Sequence, residues 1–132
     1  MNKKEPSLSL SLLKYQDSNG LWYQVIDKGN ISDNWHETSC TAMIAYAYAK
    51  GSKKGYLEYE YKSLADKAFN GLKENYMFFD QDGILYLSGT VRVGTLNFNY
   101  SDGSYSYYVS VERRLNDFKG LTALFYLTLY LD

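Results

Sequence analysis

The segment Thr38 to Lys50, with the sequence TSCTAMIAYAYAK, is the stretch that decides the fold of this chain. It contains four alanines and no charged side chain before its final lysine, which predicts an α-helix that is buried on nearly every side. Thr38 or Ser39 is the predicted N-cap, and Gly51 is expected to end the helix in the left-handed conformation. We therefore expect an inner helix of a layered, mainly helical structure.

The following segment, Glu58 to Asn75, predicts a second helix of a different kind. Apolar residues recur at helical spacing, whereas the positions between them carry charged side chains, a pattern typical of a helix with one buried and one solvated face. The apolar positions are Tyr61, Leu64, Ala65, Ala68 and Leu72. A buried helix followed by a half-solvated helix forms a helical hairpin, which is the unit of bundles and of α/α barrels.

The residues before this hairpin carry weaker signals. Ser7 to Gln16 is compatible with the last turns of a helix, although its alternation of Ser and Leu also permits a strand. Asp17 to Gly20 predicts a turn. Leu21 to Ile26 is short, aromatic and β-branched, so it predicts a brief extended segment.

The residues after the hairpin predict three further features. Two short aromatic and aliphatic runs flank the turn-forming tetrapeptide Asp80 to Gly83, which indicates a small β-hairpin. Ser88 to Asn116 is rich in Gly, Asn and Tyr and predicts a long aromatic loop, and irregular loops of this length are usually functional. Asp117 is expected to cap a final apolar helix from Phe118 to Tyr130.

The composition of the 132 residues excludes several classes of protein. Fourteen basic and fifteen acidic side chains give a net charge of -1, which argues against nucleic acid or an anionic membrane as a partner. One cysteine, Cys40, and one histidine, His36, are too few for a disulfide framework or a structural zinc site, which excludes disulfide-rich proteins and zinc fingers. We also expect no cofactor.

The sequence also bears on the cellular compartment. The longest apolar run, Leu121 to Leu131, has about half of the ~20 residues that a membrane helix needs. The N-terminal residues have a basic start but lack the apolar core and the cleavage site of a secretory signal. We therefore predict a cytoplasmic protein, with the periplasm as the alternative.

Aromatic side chains are unusually abundant, with fifteen Tyr, six Phe and two Trp against a single Pro. Tyrosine combines a large apolar face with a polar edge. This combination suits a groove that stacks on a sugar and hydrogen-bonds it, but it equally suits a packing surface. The composition leaves both interpretations open.

The segment from Trp35 to Ser39 lies where a loop enters the buried helix, and it is a candidate binding site. An exposed Trp35 would stack on a sugar ring, and free backbone N–H groups at the helix N-terminus would bind an anionic substituent such as a uronate. In the alternative interpretation Trp35 packs against the protein and Glu37 or Thr38 only caps the helix. His36 and Cys40 lie four residues apart, but nothing else completes a metal site.

Glycosidic chemistry commonly uses two carboxylates, one of which has a raised pKa and acts as the acid. The candidates are Glu37, Asp102, Glu112 and Asp117, each of which is alternatively a cap, a turn former or a surface charge. Asp102 to Tyr108 has the pattern of a turn that leads into an aromatic platform. It is a better candidate for binding than for catalysis.

Several segments share their order and approximate spacing with one group of enzymes. They are GLWYQV at 20–25, NWHETS at 34–39, AYAKG at 47–51 with GYL at 55–57, DGSY at 102–105 and NDFKG at 116–120. Together they resemble the C-terminal part of unsaturated glucuronyl and rhamnogalacturonyl hydrolases, glycoside hydrolase families 88 and 105. The resemblance covers about residues 12 to 132.

This resemblance implies an all-α, partial α/α six-hairpin barrel in which residues 1–132 form a single unit. It implies action on the 4,5-unsaturated uronic acid at the non-reducing end of pectin- or glycosaminoglycan-derived oligosaccharides. In these families an aspartate, acting as general acid/base, protonates the sugar's double bond before water adds, and no metal is required. Because that aspartate lies in the N-terminal portion of the family fold, we expect no catalytic residue in this chain. A non-catalytic carbohydrate-binding or interaction module is the alternative.

The resemblance and the motifs together identify candidate sugar-binding residues. They are Trp35, His36, Glu37, Thr38, Ser39, Arg92, Asp102 and Tyr105. Two positions depart from the family pattern, with Phe118 in place of a usual proline and Arg92 in place of a common glutamine. A partial barrel leaves apolar flanks bare, so we also predict self-association or a partner that covers them.

Overall fold

A computed structural model gives the structure of residues 7–97 and 99–131, and helices dominate this part of the chain. In chain order its elements are α1 (Ser7–Leu13), α2 (Thr38–Lys53), α3 (Glu60–Asn75), β1 (Met77–Phe79), β2 (Leu85–Leu87), β3 (Thr90–Val91), α4 (Tyr105–Ser110), β4 (Arg113–Arg114) and α5 (Phe118–Thr128). Among the described residues, no helix is long and apolar enough to cross a membrane. Residues 1–6, whose basic start bears on the predicted compartment, lie outside the described residues.

Helix α2 packs against both α3 and α5, which confirms the predicted helical hairpin. Its small residues Ala42, Ala45 and Ala49 are fully buried, so the neighbouring helices approach its backbone closely. Only a narrow face around Met43 and Ala47 is exposed. The core forms around two clusters, made of Trp22, Ala45, Tyr48, Ala49, Tyr61, Ala65, Ala68 and Leu127 and of Leu21, Ala42, Leu72, Leu87, Ala123 and Leu124.

Both predicted ends of α2 are wrong. The N-cap is Glu37 rather than Thr38 or Ser39, because its carboxylate reaches back to accept hydrogen bonds from backbone N–H groups of the first turn. The helix also continues through Gly51 to Lys53. The Gly51 carbonyl accepts hydrogen bonds from the N–H groups of Tyr56 and Leu57, which fold back over it. The left-handed conformation expected at Gly51 is found instead at Gly55.

The short elements confirm part of the remaining predictions. Ser7–Leu13 is helical rather than extended, and the indole of Trp22 fastens it to the core by donating to the Leu12 carbonyl (2.8 Å). In the predicted extended segment, Tyr23 forms an antiparallel bridge with His36. β1 and β2 pair as the predicted hairpin, and Asp117 caps α5 by accepting from the Lys119 N–H.

The prediction of one long irregular loop from Ser88 to Asn116 is wrong. β3 pairs antiparallel with β4, with Thr90 opposite Arg114, and α4 lies between them. Ser104 begins α4 by accepting a hydrogen bond from the Tyr107 N–H. Each of these elements has six residues or fewer, and the strand partners are more than twenty positions apart, so local periodicity carried no sign of them.

Asp17 joins the turn after α1 to the strand-like segment that enters α2. Its Oδ2 lies 2.8 Å from His36 Nε2, and the His36 ring stacks at 4.2 Å on Tyr23. Burial alone would raise the pKa of Asp17, but hydrogen bonds from Ser18, His36 and Tyr23 outweigh it and hold this pKa below its ordinary value. The ionised carboxylate therefore stabilises this corner of the fold.

We expect Gly71→Ala to destabilise the protein by about 1–3 kcal/mol, as in other overpacked sites. A Cβ at Gly71 would lie 2.2 Å from the backbone oxygen of Asn19, which cannot rotate away as a side chain would. The neighbouring Asn70→Ala is exposed and is the control. Helix propensity alone predicts that both substitutions stabilise α3. The measurement is chemical denaturation, and a higher free energy of unfolding for Gly71→Ala would contradict the close contact with Asn19.

We expect acid to weaken the contact between Asp17 and His36. Because the pKa of Asp17 is lower in the folded protein, its stabilising effect is present above the ordinary value of 3.8 and is lost as the pH falls through the folded-state value. Asp17→Asn should therefore lower thermal stability at neutral pH, and the difference from wild type should disappear near pH 2. The exposed Asp27→Asn is the control, and a constant difference between wild type and Asp17→Asn across this range would refute the assignment.

Candidate functional site

The carboxylate of Glu37 is buried at the start of α2 and collects hydrogen bonds from two directions. From the helix, the N–H groups of Ser39 and Cys40 donate to Oε1 (3.2 Å) and Oε2 (2.5 Å). From the other side, the N–H of Val91 donates to Oε1 (2.9 Å). The Ser39 hydroxyl lies 2.8 Å from Oε1. Glu37 is therefore a structural anchor that ties β3 to the inner helix.

The expectation of free N–H groups at this helix end is wrong, since Glu37 occupies those of Ser39 and Cys40. The hydroxyls beside it are also engaged, because Thr38 Oγ1 lies 2.9 Å from Thr90 Oγ1 and Ser39 bonds to Glu37. Both side chains are buried. In this structure the N-terminus of α2 is closed to an anionic ligand.

The expectation of an exposed Trp35 is also wrong, because only 9% of its surface is accessible. Its indole N–H donates to the carbonyl of Val109 at 3.0 Å, and the guanidinium of Arg113 lies 5.2 Å from its ring centroid. Both partners come from the distant segment around α4 and β4. Trp35 therefore joins the entry to α2 to that segment, as in the packing alternative.

His36 and Cys40 are both engaged in structure. The imidazole of His36 is held by Asp17, and burial, with a smaller effect of Glu37, raises the pKa of the Cys40 thiol to about 12. Cys40 is therefore a neutral thiol at physiological pH and a poor metal ligand. Within residues 7–97 and 99–131, no three His, Cys, Asp or Glu side chains come together where they could hold a metal ion.

Two of the predicted sugar-binding residues do line a shared depression on the surface. A cavity of about 450 Å³ that includes Asp102 and a cavity of about 510 Å³ that includes Arg92 share the side chains of Tyr100, Tyr107 and Ser110. We call these five residues and the depression between them the tyrosine groove. It runs over the segment between β3 and β4.

Aromatic and hydroxyl groups form the middle of the tyrosine groove. Tyr100 projects into solvent with 86% of its surface accessible, so its ring is free to stack on a ligand. The hydroxyl of Tyr107 accepts a hydrogen bond from the Thr95 N–H at 2.9 Å. Hydrogen bonds from Thr95, first through its side chain, lower the pKa of Tyr107. This groove offers an apolar face beside polar groups, the combination that a sugar requires.

Arg92 supplies a positive charge at one end of the groove. Its Nη1 lies 3.8 Å from Glu112 Oε2, which is a loose and exposed ion pair. Its carbonyl accepts a hydrogen bond from the ammonium of Lys119 at 2.7 Å, which fixes the backbone while the guanidinium remains exposed. Arg92 is therefore placed to bind a carboxylate.

Tyr105, the remaining predicted residue, does not line the groove. Its hydroxyl donates to Asp33 Oδ1 at 2.5 Å, and burial together with this bond raises the pKa of Tyr105 to about 12. Tyr105 thus fastens α4 to the loop before Trp35. Tyr107 belongs to the aromatic platform predicted from Asp102 to Tyr108, whereas Tyr100 and Ser110 lie outside it, and the signal for Tyr100 was the density of tyrosines around it.

The candidate acids from the sequence are not arranged as proton donors. Hydrogen bonds from the Ser104 side chain and N–H lower the pKa of Asp102, and the Lys119 ammonium lowers the pKa of Asp117. Glu112 is exposed between two arginines, and Glu37 is committed to N–H donors. A general acid requires a raised pKa, so the lowered pKa values of Asp102 and Asp117 argue against proton donation by these two residues.

Comparison with known proteins agrees with this architecture. The model of Glycosyl Hydrolase Family 88 matches residues 5–131. Two curated relatives, Protein Atu3128 from Agrobacterium fabrum and the 24.9 kDa protein in picA locus from Rhizobium radiobacter, are each 31% identical over 131 residues. The match covers 94% of this chain and 56% of each relative.

Solved structures give the same relationship. A glycoside hydrolase from family 105 of C. acetobutylicum ATCC 824 is 34% identical with a TM-score of 0.88, and the match covers 93% of this chain and 35% of that one. A possible member of the GH105 family from Klebsiella pneumoniae is 25% identical with a TM-score of 0.72, and the match covers 29% of its length. The chain spans about half of the curated relatives and about a third of these structures. Its helices form part of an α/α barrel, and the chain belongs to glycosyl hydrolase family 88.

Proposed function

We propose that this chain takes part in the hydrolysis of oligosaccharides that end in a 4,5-unsaturated uronic acid, derived from pectin or from glycosaminoglycans. The observation that carries the proposal is the family match over residues 5–131, which includes every element of the structure. We propose the cytoplasm as its compartment.

The tyrosine groove supports a specific role in this reaction, which is to bind the sugar. A 4,5-unsaturated uronic acid carries a planar conjugated carboxylate, and a guanidinium recognises such a group with two parallel hydrogen bonds. Arg92 offers this group at one end of the groove, and the exposed face of Tyr100 lies within the same depression. The serine hydroxyls and the Tyr107 hydroxyl are available to the hydroxyls of further sugar units.

The same geometry supports the proposal that this chain binds the sugar and that a group outside it donates the proton. Asp102 and Asp117 are held ionised by their hydrogen bonds, so neither carries a proton near neutral pH. Glu37 is enclosed by N–H donors and does not reach the groove. We therefore propose that the 132-residue chain on its own binds the unsaturated sugar without hydrolysing it.

With an unsaturated glucuronyl disaccharide, we expect the isolated chain to give a saturable binding isotherm and no loss of the ultraviolet absorbance of the double bond. Calorimetry measures the first and absorbance the second. The whole C. acetobutylicum family 105 protein, assayed on the same disaccharide and on an unsaturated rhamnogalacturonyl one, is the comparison for turnover. Hydrolysis by the isolated chain would refute the proposal that the proton donor lies outside it. Absence of binding would refute the proposal that the tyrosine groove binds the sugar.

We expect Arg92→Ala to weaken this binding about tenfold, which corresponds to ~1.4 kcal/mol. The loss should disappear when the uronate is supplied as its methyl ester, because the ester carries no charge for Arg92 to bind. Arg114→Ala removes the same charge next to the groove and is the matched control. Equal losses for the acid and the ester would show that Arg92 does not bind the carboxylate.

We expect Tyr100→Ala to weaken binding of both acid and ester by about fivefold, since stacking on an aromatic face contributes roughly 1 kcal/mol. Tyr59→Ala, another highly exposed tyrosine outside the groove, should leave the dissociation constant unchanged. Both substitutions are at the surface, so circular dichroism should show an unaltered fold. Equal effects of the two substitutions would refute stacking on Tyr100.

A further inference from the structure

Glu112 lies directly opposite Arg92 at the end of the tyrosine groove. The register of the β3–β4 pair places Val91 opposite Arg113, and it continues by one step to Arg92 and Glu112. The Arg92 N–H donates to the Glu112 carbonyl at 2.8 Å. Side chains that face each other across an antiparallel pair lie on the same side of it. The backbone therefore holds the glutamate next to the guanidinium.

The two side chains form only a loose ion pair. Arg92 Nη1 lies 3.8 Å from Glu112 Oε2, and Arg114 Nε lies at the same distance from that oxygen. The side chains of Arg92 and Glu112 are each 58% accessible. A strong charge-assisted hydrogen bond is shorter, at about 2.7–2.9 Å, and exposed ion pairs contribute little to stability. A ligand can therefore replace Glu112 beside Arg92 at low cost.

The position of Arg92 does not depend on this ion pair. Its N–H is bound to the carbonyl of Glu112, and its own carbonyl accepts a hydrogen bond from the Lys119 ammonium at 2.7 Å. Lys119 is held in turn by the Asp117 carboxylate at 2.6 Å. None of these contacts uses the carboxylate of Glu112. Removal of that carboxylate should therefore free the guanidinium without displacing it.

The carboxylate of Glu112 presents to Arg92 the same functional group that a uronic acid would present. Both side chains line the cavity of about 510 Å³. Asp102, the other acid of the groove, lines the neighbouring cavity and accepts a hydrogen bond from the Ser104 N–H at 2.9 Å. Two carboxylates that approach one guanidinium repel each other. A ligand carboxylate that binds Arg92 must therefore displace Glu112.

We propose that Glu112 competes with the carboxylate of the sugar for Arg92 and so determines how tightly the groove binds a uronic acid. This inference rests on the sugar-binding role proposed above for Arg92. A ligand carboxylate that forms two parallel hydrogen bonds with the guanidinium replaces the single long contact of Glu112. A methyl ester carries no charge to exchange with Glu112, so its binding does not depend on this residue.

The competition affects the substrate and the released sugar alike. Hydrolysis of a glycosidic bond leaves the carboxylate of the sugar in place, so a contact between Arg92 and this carboxylate stabilises both bound states. Uniform binding of this kind does not accelerate the chemical step, and release of the product is often the slow step of an enzyme. By weakening the contact, Glu112 favours release of the sugar from the groove.

The test measures the dissociation constant of the 132-residue chain for the unsaturated glucuronyl disaccharide, supplied as the acid and as its methyl ester. Glu112→Gln removes the charge and keeps the size of the side chain. We expect it to strengthen binding of the acid about threefold, the scale of one exposed ion pair, and to leave binding of the ester unchanged. When Arg92→Ala is already present, Glu112→Gln should have no measurable effect on the acid, because the group for which it competes is gone.

Glu58→Gln removes the same charge at an exposed position outside the groove, and as the matched control it should leave both dissociation constants unchanged. Unchanged or weaker binding of the acid by Glu112→Gln would overturn the proposal. An equal gain with and without Arg92 would also overturn it, because it would indicate repulsion at a distance. In these cases the sugar-binding role still stands if Arg92→Ala weakens binding of the acid. A wild-type chain that binds no sugar would overturn both proposals.

Discussion

The buried carboxylate of Glu37 is the interaction on which the rest of this structure depends. Two backbone N–H groups of α2 and one of β3 donate to it, and its own N–H donates to the Trp22 carbonyl at 2.9 Å. A buried carboxyl group is costly unless several donors replace the lost water. Here those donors come from α2 and β3, and a third part of the chain, at the Trp22 carbonyl, accepts a hydrogen bond from the Glu37 N–H. They can converge on Glu37 only if the N-terminal segment, the inner helix and the segment between β3 and β4 take their observed positions together.

This constraint explains why the entry to α2 is structural and the groups proposed to bind sugar lie elsewhere. The donors that would attract an anion at a helix N-terminus are used by Glu37, and the indole of Trp35 is used by Val109. These contacts hold α4 and β4 against the start of α2. Because the ends of the segment are fixed in this way, Tyr100 is left exposed on a supported loop rather than on a free one.

The sequence predicted the helices well because their signals are local. The alanines of α2, the spaced apolar residues of α3 and the Asp117 cap all act within a few residues. Ser88 to Asn116 was predicted poorly because its pairing depends on partners far along the chain. Gly51 shows the same limit, since the helix continues past it when Leu57 folds back on its face, a contact that local propensity does not contain.

The candidate site was predicted in part for the same reason. Arg92 and Asp102 line the groove as expected, whereas Tyr105 turns toward Asp33, a partner seventy-two positions away. Residue type identified groups able to bind a sugar, but only the fold decides which of them face solvent. There is also a chemical reason why the site was predicted only in part. An aspartate in a turn accepts hydrogen bonds from N–H groups, and these bonds favour its ionised form. The turn that makes Asp102 recognisable in the sequence therefore also makes it unsuitable as a proton donor. A residue that lines a binding groove and a residue that donates a proton require different local environments.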